Sequence, residues 1–202
     1  MFDPLSSEDP PFVFMPPFEI FYLISLEFCT SSALESAERV MDLMGGGQSG
    51  EKETPPQIVL NEVQNIVNQG AAISRYFWPS DKKYRARGEA LRNAFGIGDS
   101  SPLKDRKLRN MVEHFDEYLD DYLRVNCAGQ YVPEYVGSAP QHDRGPLKLF
   151  RAFFVDTGQF EILGETYEIQ PILDAIGDLH EMLVECHSNG SRFPRKPPES
   201  AE

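Results

Sequence analysis

The chain has 202 residues, room for one domain, or one domain with a tail. Hydrophobic residues at 41 % and aromatics at 11 % are enough to bury a core, which excludes global disorder. A net charge of -13 argues against a protein that coats DNA or RNA indiscriminately.

Residues 1–17 hold Pro4, Pro10, Pro11, Pro16 and Pro17 and read as an extended, acidic arm. They lack the basic start, apolar core and small-residue cleavage site of a signal peptide. A long helix is expected over Phe18–Met44, with Phe21, Ile24, Leu26, Phe28, Leu34, Val40, Met41 and Met44 as its apolar positions. Its front half is apolar all round, which places it deep in the core or at an interface. The apolar run Phe18–Thr30 is too short to span a membrane and carries Glu19 and Glu27. Gly45-Gly46-Gly47 ends this helix and a flexible linker follows to Pro55-Pro56.

A second helix is predicted over Pro56–Phe77, with Thr54 as N-cap and Ile58, Val59, Val63, Ile66, Val67 and Ile73 turned inward. Trp78-Pro79-Ser80 stops it. A third helix covers Lys82–Phe95, with Tyr84, Leu91 and Phe95 inward, and Gly96-Ile97-Gly98 closes it. Ser101 and Pro102 then suit the N-cap and first position of a further helix running from Leu103 to Leu123. Residues 125–147 carry Gly129, Pro133, Gly137, Pro140, Gly145 and Pro146 without periodicity and read as a long loop. Lys148–Asp156 and Gln159–Leu163 form a hairpin about Thr157-Gly158. Gly164 interrupts the second strand, and Glu165–Ile169 continues it. The last helix spans Pro171–His187, and 188–202 is a disordered tail. The expected fold is mainly α: about five helices in a bundle over residues 18–187, with one small antiparallel hairpin at 148–169.

Charge is unevenly placed. Residues 75–109 hold ten of the nineteen Lys and Arg against Asp81, Glu89, Asp99 and Asp105. This basic stretch runs into Arg109-Asn110-Met111-Val112-Glu113-His114. Arginine can hold a phosphate with two parallel hydrogen bonds, and histidine can move a proton near neutral pH. In an unbroken helix Leu108, Met111, Val112, Phe115, Leu119, Tyr122 and Leu123 form one apolar stripe. Arg109 and His114 would then stand roughly 140° apart and border the stripe on opposite sides. One chain alone would not bring them together, but two copies packed across the helix would. The plainer alternative is a salt-bridged surface: Arg109 with Glu113 or Asp105, His114 with Tyr118.

The segment Lys107-Leu108-Arg109-Asn110 to His114-Phe115-Asp116 resembles the signature of HEPN domains, small helical bundles with an Arg, four to six residues and then a His. The resemblance covers about residues 18–187. It implies a metal-independent endoribonuclease that needs no cofactor, commonly a toxin or defence component, with its active site at a homodimer interface. Arg109 would hold the scissile phosphate, His114 would act as general acid or base, and Asn110 would orient one or the other. Arg92, Lys104, Arg106 and Lys107 are the candidate RNA contacts, and an antitoxin protein is the implied partner. One toxin branch has a Tyr two residues after the His; Asp116 stands there in this chain, so regulation through that Tyr is not implied. Some relatives are non-catalytic dimerisation or binding modules, and a plain helical adaptor is the third reading.

The remaining candidates are weaker. His180 and His187, with Glu181 nearby, lie seven residues apart and fit a metal site poorly. Trp78 with Tyr76 and Phe77 suits a core cluster better than a base-stacking platform. Cys29, Cys127 and Cys186 form no CxxC pair, which disfavours zinc or a disulfide framework and fits a reducing, cytoplasmic setting.

Overall fold

A computed structural model describes residues 13–45, 54–140 and 147–194; the side chains of Arg106, Leu108 and Arg109 lie outside that description. So do parts of the expected arm, linker, loop and tail, and His142.

Three long helices make the bundle: α1 (Glu19–Gly45), α2 (Pro56–Phe77) and α6 (Ile169–Ser188). Both α2 and α6 pack on α1. Leu23, Leu26 and Ala33 of α1, Leu60, Val63, Ile66 and Ile73 of α2, and Ile176, Leu179 and Leu183 of α6 are all buried. Polar side chains fasten α1 to α2 at one end. Ser36 donates to Glu62 at 2.6 Å, and Asn65 donates to Ser36 at 2.9 Å. No described helix is long and apolar enough to cross a membrane.

Several sequence expectations need correction. Of the two places expected for the front half of α1, the core takes only one face: Leu23 and Leu26 are buried, but Phe21, Ile24 and Phe28 are exposed. Thr54 does not cap α2; Pro55 takes the N-cap place without a side-chain bond. Ile58 is also exposed, although the buried stripe begins at the next residue, Val59. The third helix opens as a 3-10 turn, Lys82–Tyr84, and continues as α3 (Arg85–Phe95), leaving Tyr84 at the surface. Gly96, at φ 66°, ends it in the left-handed conformation that glycine adopts without strain.

The helix expected over Leu103–Leu123 is three pieces. Ser101 caps a 3-10 turn, Pro102–Lys104, and Asp105 accepts the Lys107 N–H at 2.8 Å to cap α4 (Arg106–Glu113). His114, at φ −126° and ψ 34°, breaks the run, and α5 (Phe115–Val125) starts after it. The hydrogen-bond ladder survives the kink. His114 N–H reaches the Asn110 carbonyl at 2.9 Å, and Tyr118 N–H reaches the His114 carbonyl at 3.0 Å. Asp116 and Glu117 lie in the first turn of α5, where negative charge suits the helix dipole.

The hairpin is part of a larger sheet. Its strands are β1 (Gln130–Gly137), β2 (Leu147–Phe154), β3 (Gln159–Ile162) and β4 (Glu165–Glu168), in that spatial order. β1 pairs with β2 in parallel; β2, β3 and β4 run antiparallel. β1 lies in the middle of the segment, 125–147, expected to be a loop. Its Pro133 cannot donate to a ladder, which an edge strand tolerates. Nor does Gly164 interrupt one strand: Leu163 at φ 53° and Gly164 at φ 80° turn the chain back, so β4 pairs with β3. The sheet packs on α2 through β1 and β2 and touches α5, where the Tyr122 hydroxyl donates to the Leu149 carbonyl at 3.3 Å.

Residues 192 and 193, expected in a disordered tail, pack on the bundle instead. Phe193 is buried against Phe14 and Phe95, with ring centroids 4.8 and 5.5 Å away. Arg192 donates to Glu19 through Nε at 2.8 Å and Nη2 at 2.9 Å. The Phe193 N–H adds a third bond to that carboxylate at 2.8 Å.

Candidate functional site

The kink at His114 is the centre of the candidate site. Its imidazole is 51 % exposed, and Nδ1 lies 3.5 Å from the Glu117 carboxylate one turn along α5. Glu117 is freely solvated, so the contact orients the ring without burying it. Asn110 is half-buried one turn earlier, its carbonyl fixing the His114 backbone. Arg109 belongs to α4, beside Asn110. The 140° separation reasoned from an unbroken helix has no basis here, because the break re-aims His114 relative to α4.

α4 is held in place from both sides. The Arg75 guanidinium of α2 lies 3.4 Å from Glu113, the residue before His114. Below, the Tyr167 hydroxyl of β4 donates to the Lys107 carbonyl at 3.4 Å. Burial, seconded by Glu165 and Asp105, pushes the Tyr167 phenol well above its ordinary range, so it stays a neutral donor.

Three of the four expected RNA contacts have described side chains, and each meets a partner within the chain. Lys104 is 3.0 Å from Asp99, and Lys107 is 3.3 Å from Glu165. Arg92 donates to the Phe77 carbonyl and lies over the Trp78 ring, 5.8 Å from its centroid. The Arg106 side chain lies outside the described residues. Lys107 remains mostly solvent-exposed, which leaves it able to exchange partners. A cavity of about 710 Å³ beside Lys104 is lined by Asp99, Asp105 and Glu168 as well, a poor lining for an anion.

A more basic cavity of about 490 Å³ lies on the other side of Glu113's partner. Arg75, Tyr76, Tyr84 and Arg87 line it together with one carboxylate, Asp81, and with Cys29 of α1. The Arg87 guanidinium sits between two rings, 5.7 Å from Tyr76 and 5.5 Å from Tyr84, and donates to the Arg75 carbonyl at 3.0 Å. Lys83 lies 5.2 Å from the Tyr84 ring. Arg87 thus already covers a face of each ring, and the open volume lies beside them. Burial pushes the Cys29 thiol up, only partly opposed by Arg75, so it lines the cavity and is not a nucleophile.

Sequence reading did not find this cavity. Arg75 and Arg87 belong to the basic stretch, but they lie twelve residues apart on two helices, and Tyr84 was expected to face inward. The turn at Trp78-Pro79 folds α3 back against α2 and brings them together. Gly88 permits that approach: a Cβ there would stand 2.6 Å from the Phe77 carbonyl oxygen. Trp78 itself bonds Asp99 at 3.3 Å, and Phe77 is core.

The two other described histidines link α6 to α1. His180 Nδ1 lies 2.9 Å from the Thr30 hydroxyl, and His187 Nε2 lies 3.0 Å from Glu27. Among the described residues, no three His, Cys, Asp or Glu side chains gather as a metal set. Compared with known proteins, the chain matches no family model, no curated sequence and no solved structure.

Proposed function

We propose that this chain is a metal-independent endoribonuclease of the HEPN type, acting as a homodimer in a toxin or antiphage-defence role. The observation that carries the reading is an exposed histidine at a helix break, five residues after Arg109 and one turn after Asn110, on an otherwise acidic protein. In this reading His114 takes the proton from a ribose 2'-hydroxyl. The 2'-oxygen attacks the adjacent phosphorus, the bond to the 5'-oxygen breaks, and a proton donated to that oxygen releases it. The products are a 2',3'-cyclic phosphate and a 5'-hydroxyl. Arg109 neutralises the charge that builds on the phosphoryl oxygens. Asn110 positions the reacting groups, and the cavity of Arg75, Tyr76, Tyr84 and Arg87 receives a neighbouring nucleotide. An antitoxin protein would be the natural restraint on such an activity.

The test is cleavage of a mixed RNA pool in EDTA by wild type, Arg109→Ala and His114→Ala. The reading predicts cleavage by wild type and a loss of at least about a hundredfold in each variant, the usual size of a general acid–base contribution. Equal activity in all three, or none in wild type, overturns it.

A second reading, a non-catalytic dimeric module or adaptor that binds a protein or RNA partner, is favoured by the exposed apolar face of α1. It predicts RNA binding or partner binding without cleavage.

A further inference from the structure

Two arginines from separate helices meet at the cavity of about 490 Å³ between α2 and α3. Arg75 comes from the last turn of α2 and Arg87 from the first turn of α3. Arg87 Nη2 donates to the Arg75 carbonyl at 3.0 Å, while Arg87 Nε is buried with no hydrogen-bond partner among the described residues. The volume lies within the roughly 300–1,000 Å³ of small-molecule sites.

From this we infer that the cavity takes the phosphate group of a phosphomonoester between the Arg75 and Arg87 guanidiniums, and that Arg75 leaves Glu113 to bind it. The inference deepens the nuclease reading, resting on the nucleotide place that reading gives this cavity, and names the chemical group recognised there.

Charge selects the ligand. Asp81 is the one carboxylate that lines the cavity, and its Oδ1 already accepts the Lys83 N–H at 2.9 Å, capping the 3-10 turn before α3. Lys83 itself lies 5.2 Å from the Tyr84 ring, so cations outnumber acids around the opening. The first turn of α3 holds Arg85 and Arg87 and no acid. Cations there oppose the helix dipole, which favours negative charge at that end. A phosphate offsets both that opposition and the mutual repulsion of the two guanidiniums. Two guanidiniums match a dianion better than a phosphodiester's single charge, and a phosphomonoester carries about -1.5 to -2 at pH 7.

The two arginines are held differently. Arg87 is fixed between the Tyr76 and Tyr84 rings and on the Arg75 carbonyl. Arg75 is the movable one: its side chain is 48 % exposed, and its contact with Glu113 is 3.4 Å long and partly solvated. Such an ion pair is worth little. The positive charge of Arg75 also acts on the Cys29 thiol, so the guanidinium already stands near the cavity as well as near Glu113. A phosphate thus meets one preset guanidinium and draws in the second. Because Glu113 precedes His114, occupancy releases a tie on α4 beside the kink.

The experiment is calorimetric titration of the full chain with inorganic phosphate at neutral pH and constant ionic strength. Wild type is expected to saturate at one phosphate per chain. Dimethyl phosphate, a singly charged diester, and phosphate on Arg75→Met should each bind about tenfold more weakly or worse, the scale of a hydrogen bond to a charged group. Glu113→Gln removes the competitor and should bind phosphate about two- to threefold more tightly. If Arg75→Met loses helix signal by circular dichroism, Glu113→Gln decides alone. A 5'-phosphorylated 2'-O-methyl oligonucleotide that binds as tightly as phosphate assigns the site to chain ends; weaker binding assigns it to free monoesters. No saturation beyond a matched sodium chloride control overturns the inference, as does equal affinity in Arg75→Met or in Glu113→Gln. No RNA is cut in this measurement. A chain that binds phosphate and never cleaves RNA loses the nuclease reading alone, and a nuclease that does not saturate with phosphate loses this inference alone.

Discussion

The seam between α1 and α6 and the kink between α4 and α5 use the same residue types for opposite ends. Along the seam, His180 and His187 each face a partner on α1 within 3.0 Å, and Glu19 accepts three hydrogen bonds from the segment after α6. These contacts tie α6 and the segment after it to α1. At the kink, His114 is half exposed and has only a solvated Glu117 at 3.5 Å. A histidine held between two helices ties them together and is poorly placed to meet a substrate. One in loose contact at a helix break is open to a substrate. Two surfaces rich in charge thus separate into one that is structural and one that is available for chemistry.

That contrast breaks first, and with the largest effect, at Glu19. Glu19→Ala strips a buried carboxylate from Arg192 and the Phe193 N–H, and urea denaturation should show a loss of about 2–3 kcal/mol, the scale of hydrogen bonds to a charged group. A change below about 0.5 kcal/mol, the ordinary range for a surface substitution, would mean the seam does not depend on this carboxylate. Thr30→Val is the next step down. It leaves His180 Nδ1 without its hydroxyl and should cost about 1 kcal/mol by the same assay. His114→Ala should change stability by no more than about 0.5 kcal/mol, as expected for a surface residue. A cost as large as that of Thr30→Val would put His114 with the structural histidines and remove the contrast.

The smallest effect is optical. Hydrogen bonds from Lys104 and then Trp78 hold the Asp99 carboxyl below the usual carboxylate range. With the folded value depressed, the contact is complete above the ordinary range and is lost only as pH falls through the lower one. Trp78 is the only tryptophan, so its fluorescence reports the loss. A transition centred at the ordinary aspartate value would show that the contact does not form in solution.

Sequence alone places the long helices well because strong punctuation bounds them. Gly45 ends α1, Pro55-Pro56 open α2, and Trp78-Pro79 stop it. The sheet is less legible. β1 carries Pro133 and ends on Gly137, a loop's composition, and only its edge position makes it a strand. The reversal at Leu163-Gly164 puts a leucine at positive φ, which no turn propensity favours. Docking of Phe193 on the far end of the chain depends on a contact across 174 residues. At the site, the string from Arg109 to His114 is visible by spacing, but the kink is not: nothing in Glu113-His114-Phe115 marks a break. The cavity of Arg75, Tyr84 and Arg87 exists only once α3 folds back on α2, so no local pattern announces it.

The most direct measurement of the central claim is RNA cleavage in EDTA, followed for wild type and His114→Ala at equal folded concentration. The account predicts 2',3'-cyclic phosphate ends from wild type and at least about a hundredfold fewer from the variant, with both proteins equally stable. Cleavage that survives in His114→Ala, or a wild type that binds RNA and never cuts it, would contradict it.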